Sequence, residues 1–108
     1  MGIDVAKLAK EIEEAASEVL EKDVSSIRGF SARQVNAIAQ QAAFVAAGIA
    51  NGEITDATKD FFLDSIEDMV MNFARTLRGL VTVTIEKVWN AVVAVIWKAI
   101  EGATGLSL

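Results

Sequence analysis

The segment from Leu80 to Ile100, LVTVTIEKVWNAVVAVIWKAI, constrains this chain more than any other. As a helix it is apolar around most of its circumference and carries both tryptophans, so it must be covered on several sides. The chain of 108 residues has length for one domain with one core. Its mean hydropathy of +0.39 is high for a small domain, which predicts self-association as a way of burying the surplus apolar surface.

Four helical segments follow from periodicity. In the first, residues 3–22, Val5, Leu8, Ile12, Ala15 and Val19 recur at spacings of three and four and form one seam. Asp4 is its expected cap, with Ile3 and Leu8 as a hydrophobic staple. Acids stand in its first turns and no continuous apolar stretch opens it, so it reads as an amphipathic helix rather than a secretory signal, and the expected location is the cytoplasm. The stretch DVSSIRGF, residues 23–30, reads as a loop. Ser31 with Gln34 predicts a capping box for a second helix over 32–51, with Phe30 and Val35 as a second staple. Its seam is Val35, Ile38, Ala42, Val45 and Ile49, and Gly52 is its expected left-handed terminator. This helix carries no charge from Gln34 to Gly52 and is rich in alanine, so neighbouring backbones can approach it closely.

The third segment, 56–78, is capped by Thr55 and places Phe62, Ile66, Met69, Phe73 and Leu77 on its predicted buried seam. The fourth covers 80–101. Arg78-Gly79-Leu80 offers little room for a reversal, so a continuous rod kinked at Gly79, some 70 Å long at 1.5 Å per residue, is an alternative to two helices. LVTVTI also alternates as a strand would, but no other segment supplies a partner for it. The expected architecture is an all-α bundle of three to four helices in a single domain over 1–108, with the last two segments possible as one rod and homo-oligomerisation expected.

Chemistry is sparse. With no cysteine and no histidine, disulfides, thiolate metal sites and the commonest general base are excluded. The serines have no histidine to activate them and lie in no nucleophile elbow. No catalytic residue, cofactor or metal is expected, and the chain reads as a non-enzymatic module. Ten basic residues scattered over all four segments, in a chain of net charge -5, argue against nucleic acid as a partner. Asp56, Asp60, Asp64 and Asp68 recur every fourth residue, and the stretch 53–68 holds six acids against one lysine; the remaining acids and bases balance, so all the net charge resides there. That stripe is a solvated face or, in another reading, a decoy surface for a basic partner.

The leading expectation is an interaction or assembly module that pairs with itself, or docks another protein, through its last helix. Val88, Trp89, Val92, Val93, Ile96 and Trp97 are the expected anchors, with Phe61 and Met71, which lie off the third seam, as a second contact. The competing expectation is a membrane-associated or membrane-inserting protein. Leu80 to Ile100 has the length of a span, but Glu86, Lys87 and Lys98 interrupt it. With central charges costing about 2.5 to 3.5 kcal/mol and apolar residues returning about 0.3 to 0.6 each, insertion is roughly balanced.

Overall fold

A computed structural model describes residues 2–108 as four α-helices and one short 3-10 turn, with no strand among the described residues. Helix α1 spans Val5–Leu20, α2 Ala32–Ala50, α3 Asp56–Thr76 and α4 Thr82–Thr104. The four reverse direction in turn. Helix α1 is capped as its sequence predicts, the Asp4 carboxylate accepting from the Lys7 amide at 3.1 Å. It stops at Leu20, where Glu21 turns left-handed, and Ser17 Oγ accepts from the Val24 amide at 2.9 Å to start the 3-10 turn.

Helix α2 starts where expected, with Ser31 Oγ accepting from the Gln34 amide at 3.3 Å. The reciprocal half of the capping box differs. The Gln34 side-chain oxygen lies 3.0 Å from Thr76 Oγ1, across the bundle, instead of reaching back to Ser31. Phe30 likewise sets its ring edge-on to Phe73, with centroids 6.2 Å apart. Gly52 adopts the predicted left-handed conformation (φ +83°). The chain then folds back so that the Ile54 amide donates to the Gly48 carbonyl, with the Ile54 side chain filling the space that a Cβ at Gly48 would need.

The continuous rod is not what forms. Helix α3 ends at Thr76 and α4 begins at Thr82, so Leu77–Val81 makes a reversal of five residues with Gly79 at φ +82°. The molecule is 41 Å in its longest dimension, too short for a rod of 70 Å. The turn is held by its counterpart between the 3-10 turn and α2. The Arg78 amide donates to the Arg28 carbonyl at 2.8 Å, and Gly29 (φ +88°) lies so close to the Thr76 carbonyl that a Cβ there would overlap it. Ile27-Arg28-Gly29-Phe30 and Leu77-Arg78-Gly79-Leu80 are thus two like turns, each entering a helix three residues after its glycine. The alternation of LVTVTI also finds its cause: Val81 and Val83 point outward from the cap and first turn of α4 rather than along a strand.

Helices α2 and α4 form the central pair, with α1 and α3 on either side, each touching both. Ala39, Ala42 and Ala46 are wholly buried on α2, and these small side chains let its neighbours pack close. On α4, Val88, Val92, Val93, Ile96 and Ile100 fill the resulting space together with Ile12, Ile38, Ile66 and Phe73. No polar or charged residue is buried among the described residues. The α3 seam is rotated from its expected position: Leu63, Ile66, Val70, Phe73, Ala74 and Leu77 are buried, while Phe62 and Met69 are only half-covered.

Candidate functional site

The fold uses up most of the residues expected to meet a partner. Val88, Val92, Val93 and Ile96 are buried in this chain's own core, and a partner could reach them only by opening the bundle. Trp89 and Trp97 are half-buried against that core. The Trp89 indole nitrogen donates to the Glu67 carbonyl at 3.0 Å, which ties α4 to the middle of α3. Met71 is half-covered. Phe61 alone of the eight stands out into solvent, 73% exposed.

Phe61 has company. Its ring meets Phe62 edge-on with centroids 5.5 Å apart, and Phe62 in turn lies 6.5 Å from Phe44 on α2. Phe44 is 60% exposed. The three rings form a row across the α2–α3 junction. Two phenylalanines this exposed present roughly 270 Å² of apolar surface, taking about 200 Å² for a whole side chain. Behind Phe44 the outer face of α2 continues the same character: Ala37, Gln40, Ala47 and Ala50 are exposed, and none of them is charged. Phe44 is not among the contacts expected from the sequence; it sits opposite the α2 seam, a bulky ring among alanines, and that contrast is the signal that could have found it.

The acids stand at the far edge of this row. At about 100° per residue, Asp68 lies roughly 20° and Asp64 roughly 60° around α3 from Phe61, while each earlier member of the stripe lies about 40° further back toward α4. Asp56, Asp60, Asp64 and Asp68 are all exposed. Among the described residues no three acids converge as a metal cage would require. Glu67, next to them and partly covered, has its carboxyl pushed above the ordinary range, first by burial and then by the negative charges of Asp64 and Asp68.

Two other surface features are weaker. A shallow open cleft of about 650 Å³ runs between α1 and α4, lined by Lys7, Glu11, Glu14 and Lys98 among others. Its walls mix both signs of charge. Val81 and Val83, 66% and 60% exposed, make a small apolar spot at the opposite end of α3's partner helix. The hydroxyls of Ser17, Ser25, Ser26 and Ser31 are engaged in shaping turns and caps. No helix among the described residues is long and apolar enough to cross a membrane. No protein-family model, curated protein or solved structure matches this chain.

Proposed function

We propose that this chain is a non-enzymatic helical interaction module that engages a protein partner through the exposed aromatic row Phe44–Phe62–Phe61 and the uncharged part of the outer α2 face from Ala37 to Ala50. The observation that carries the reading is that two large aromatic side chains remain mostly in water beside a core that had room only for Phe73 and aliphatic groups. Single exposed apolar residues are ordinary on a protein surface. Three aromatic rings in mutual contact, continued by a helix face without charge, form a contiguous patch of the kind that marks binding surfaces. Aromatic anchors of this type dominate interface energetics. The last helix has a different part in this reading. It supplies the scaffold that holds α2 and α3 side by side, and its valines and isoleucines are spent within the chain.

Photo-crosslinking in the cell that makes the protein tests this directly. A benzophenone amino acid placed at Phe61 or Phe44 is expected to give discrete protein adducts, while the same group at Val83, equally exposed and apolar, gives none. Adducts from Val83 alone, or from no position, would defeat the assignment of the face.

A further inference from the structure

We infer that the occupant of this face is a basic amphipathic helix from another protein, an inference that rests on the aromatic face being the binding surface. Its apolar side would lie on Phe44, Phe61 and Phe62, and its lysines or arginines would meet Asp64 and Asp68. The stripe Ala37, Gln40, Phe44, Ala47 recurs at helical spacing and runs about 15 Å along α2, the length of roughly three helical turns. A helix laid along such a face presents its own anchors at just such intervals.

Charge selects among the occupants. One edge of the row is bordered by Asp64 and Asp68, within the stretch that holds the whole net charge of the protein, while α2 contributes no acid and its one charged residue, Arg33, stands a turn beyond Ala37. A symmetric dimer centred on the aromatic row would gather the acidic stretch 53–68 of both copies, six acids against one lysine in each, at one interface. That arrangement is repulsive. An anionic lipid surface is repelled for the same reason. A second copy offers no exposed helix with a row of basic side chains: the lysines of α1 and α4 stand beside Glu11, Glu14 and Glu86, and the four arginines gather toward the end of the bundle where the two turns lie, with exposed Arg33 and Arg75 at that end of this face.

The test is a titration of the full chain with two synthetic amphipathic helices of equal length, one of leucine and lysine and one of leucine and glutamate, alongside sedimentation of the protein alone. The leucine–lysine helix is expected to bind, with affinity that falls steeply with salt. Phe61→Ala and Phe44→Ala should each weaken it by roughly tenfold or more while circular dichroism stays unchanged. Asp64→Asn with Asp68→Asn should weaken it and flatten the salt dependence, and Glu11→Gln with Glu14→Gln on α1 should do neither. If the leucine–glutamate helix binds equally well through Phe61, the basic partner is wrong and the face stands. Concentration-dependent dimers abolished by Phe61→Ala have the same meaning, with a second copy as the occupant. Binding of the leucine–lysine helix that ignores both phenylalanines, or no binding of either helix together with no self-association, overturns the partner and the face together.

Discussion

Gly29 and Gly79 offer an internally controlled test of how the two turns are locked. Both glycines are left-handed, at φ +88° and +82°, and both follow an arginine. Their surroundings differ sharply. A Cβ on Gly79 would meet nothing within 4 Å, whereas one on Gly29 would fall 1.9 Å from the Thr76 carbonyl oxygen. Gly79→Ala should therefore carry only the strain of an L-residue in the left-handed region, about 1 to 2 kcal/mol. Gly29→Ala carries the same strain and must also push the end of α3 away. That shift sacrifices the bond from the Arg78 amide to the Arg28 carbonyl, at about 0.5 to 1.5 kcal/mol. Forcing extra volume into a close contact adds about 1 to 3 kcal/mol. The two variants should thus differ by roughly 1.5 to 4.5 kcal/mol, a difference read from urea midpoints with unchanged slopes. A stabilising osmolyte in all samples keeps the weaker variant measurable. Equal losses in the two variants would refute the reasoning, since the added cost at Gly29 rests on the approach of the Thr76 carbonyl, with the Arg78 side chain close behind it.

Three further outcomes follow from the same coordinates. Phe73→Ala, at a fully buried ring, should cost about 3 to 5 kcal/mol in thermal or chemical unfolding, whereas Phe61→Ala should stay within about 0.5 kcal/mol of the parent. Trp89→Phe removes the donor to the Glu67 carbonyl and should cost about 0.5 to 1.5 kcal/mol, because that carbonyl keeps its place within α3. Glu67 has a folded-state pKa above its unfolded value, so its carboxylate weakens folding above the folded-state pKa, and the penalty is relieved as pH falls through that pKa. Glu67→Gln should then be more stable than the parent at pH 7, with the advantage fading in acid unfolding curves taken near pH 4; a gain that persists unchanged at both values would remove the carboxylate as its cause.

The helices were legible in the sequence because their boundaries are local chemistry. Asp4 and Ser31 cap with their own side chains, and Gly52 supplies a backbone conformation that other residues adopt only with strain. What reached beyond one element was not legible. Gln34 and Phe30 have local partners in the sequence pattern but are engaged by Thr76 and Phe73 from a helix some forty residues away. The α3 seam shifted because that helix faces two neighbours at once, α2 and α4, and its buried arc is centred between them. The reversal at Gly79 was hidden by the assumption that α3 runs as far as Arg78. In the fold it ends at Thr76, and Val81 serves as the next cap, which leaves five residues for the turn. The similarity of Ile27-Arg28-Gly29-Phe30 to Leu77-Arg78-Gly79-Leu80 was the available sign that both are turns. Of the candidate site, Phe61 was legible as an apolar residue off its seam, while its contact with Phe62 and Phe44 required the pairing of α2 with α3.

The all-round apolar character of α4 and the absence of charge in α2 after Arg33 look alike in sequence but have different causes. Helix α4 touches α1, α2 and α3, so its valines and isoleucines are explained by three-sided burial inside one chain, without a second subunit. Helix α2 also touches all three of the others, and its alanines on the inner side are explained by the close approach of α4. Its outer side receives no such explanation. Asn36, Ala37, Gln40, Phe44, Ala47 and Ala50 face water, where packing places no demand on them and where charged residues would serve solubility better. Phe44 in particular gains little from the fold at 60% exposure. In the reading proposed above, a partner laid across this face, with the acids of α3 setting its sign, supplies the reason that packing does not.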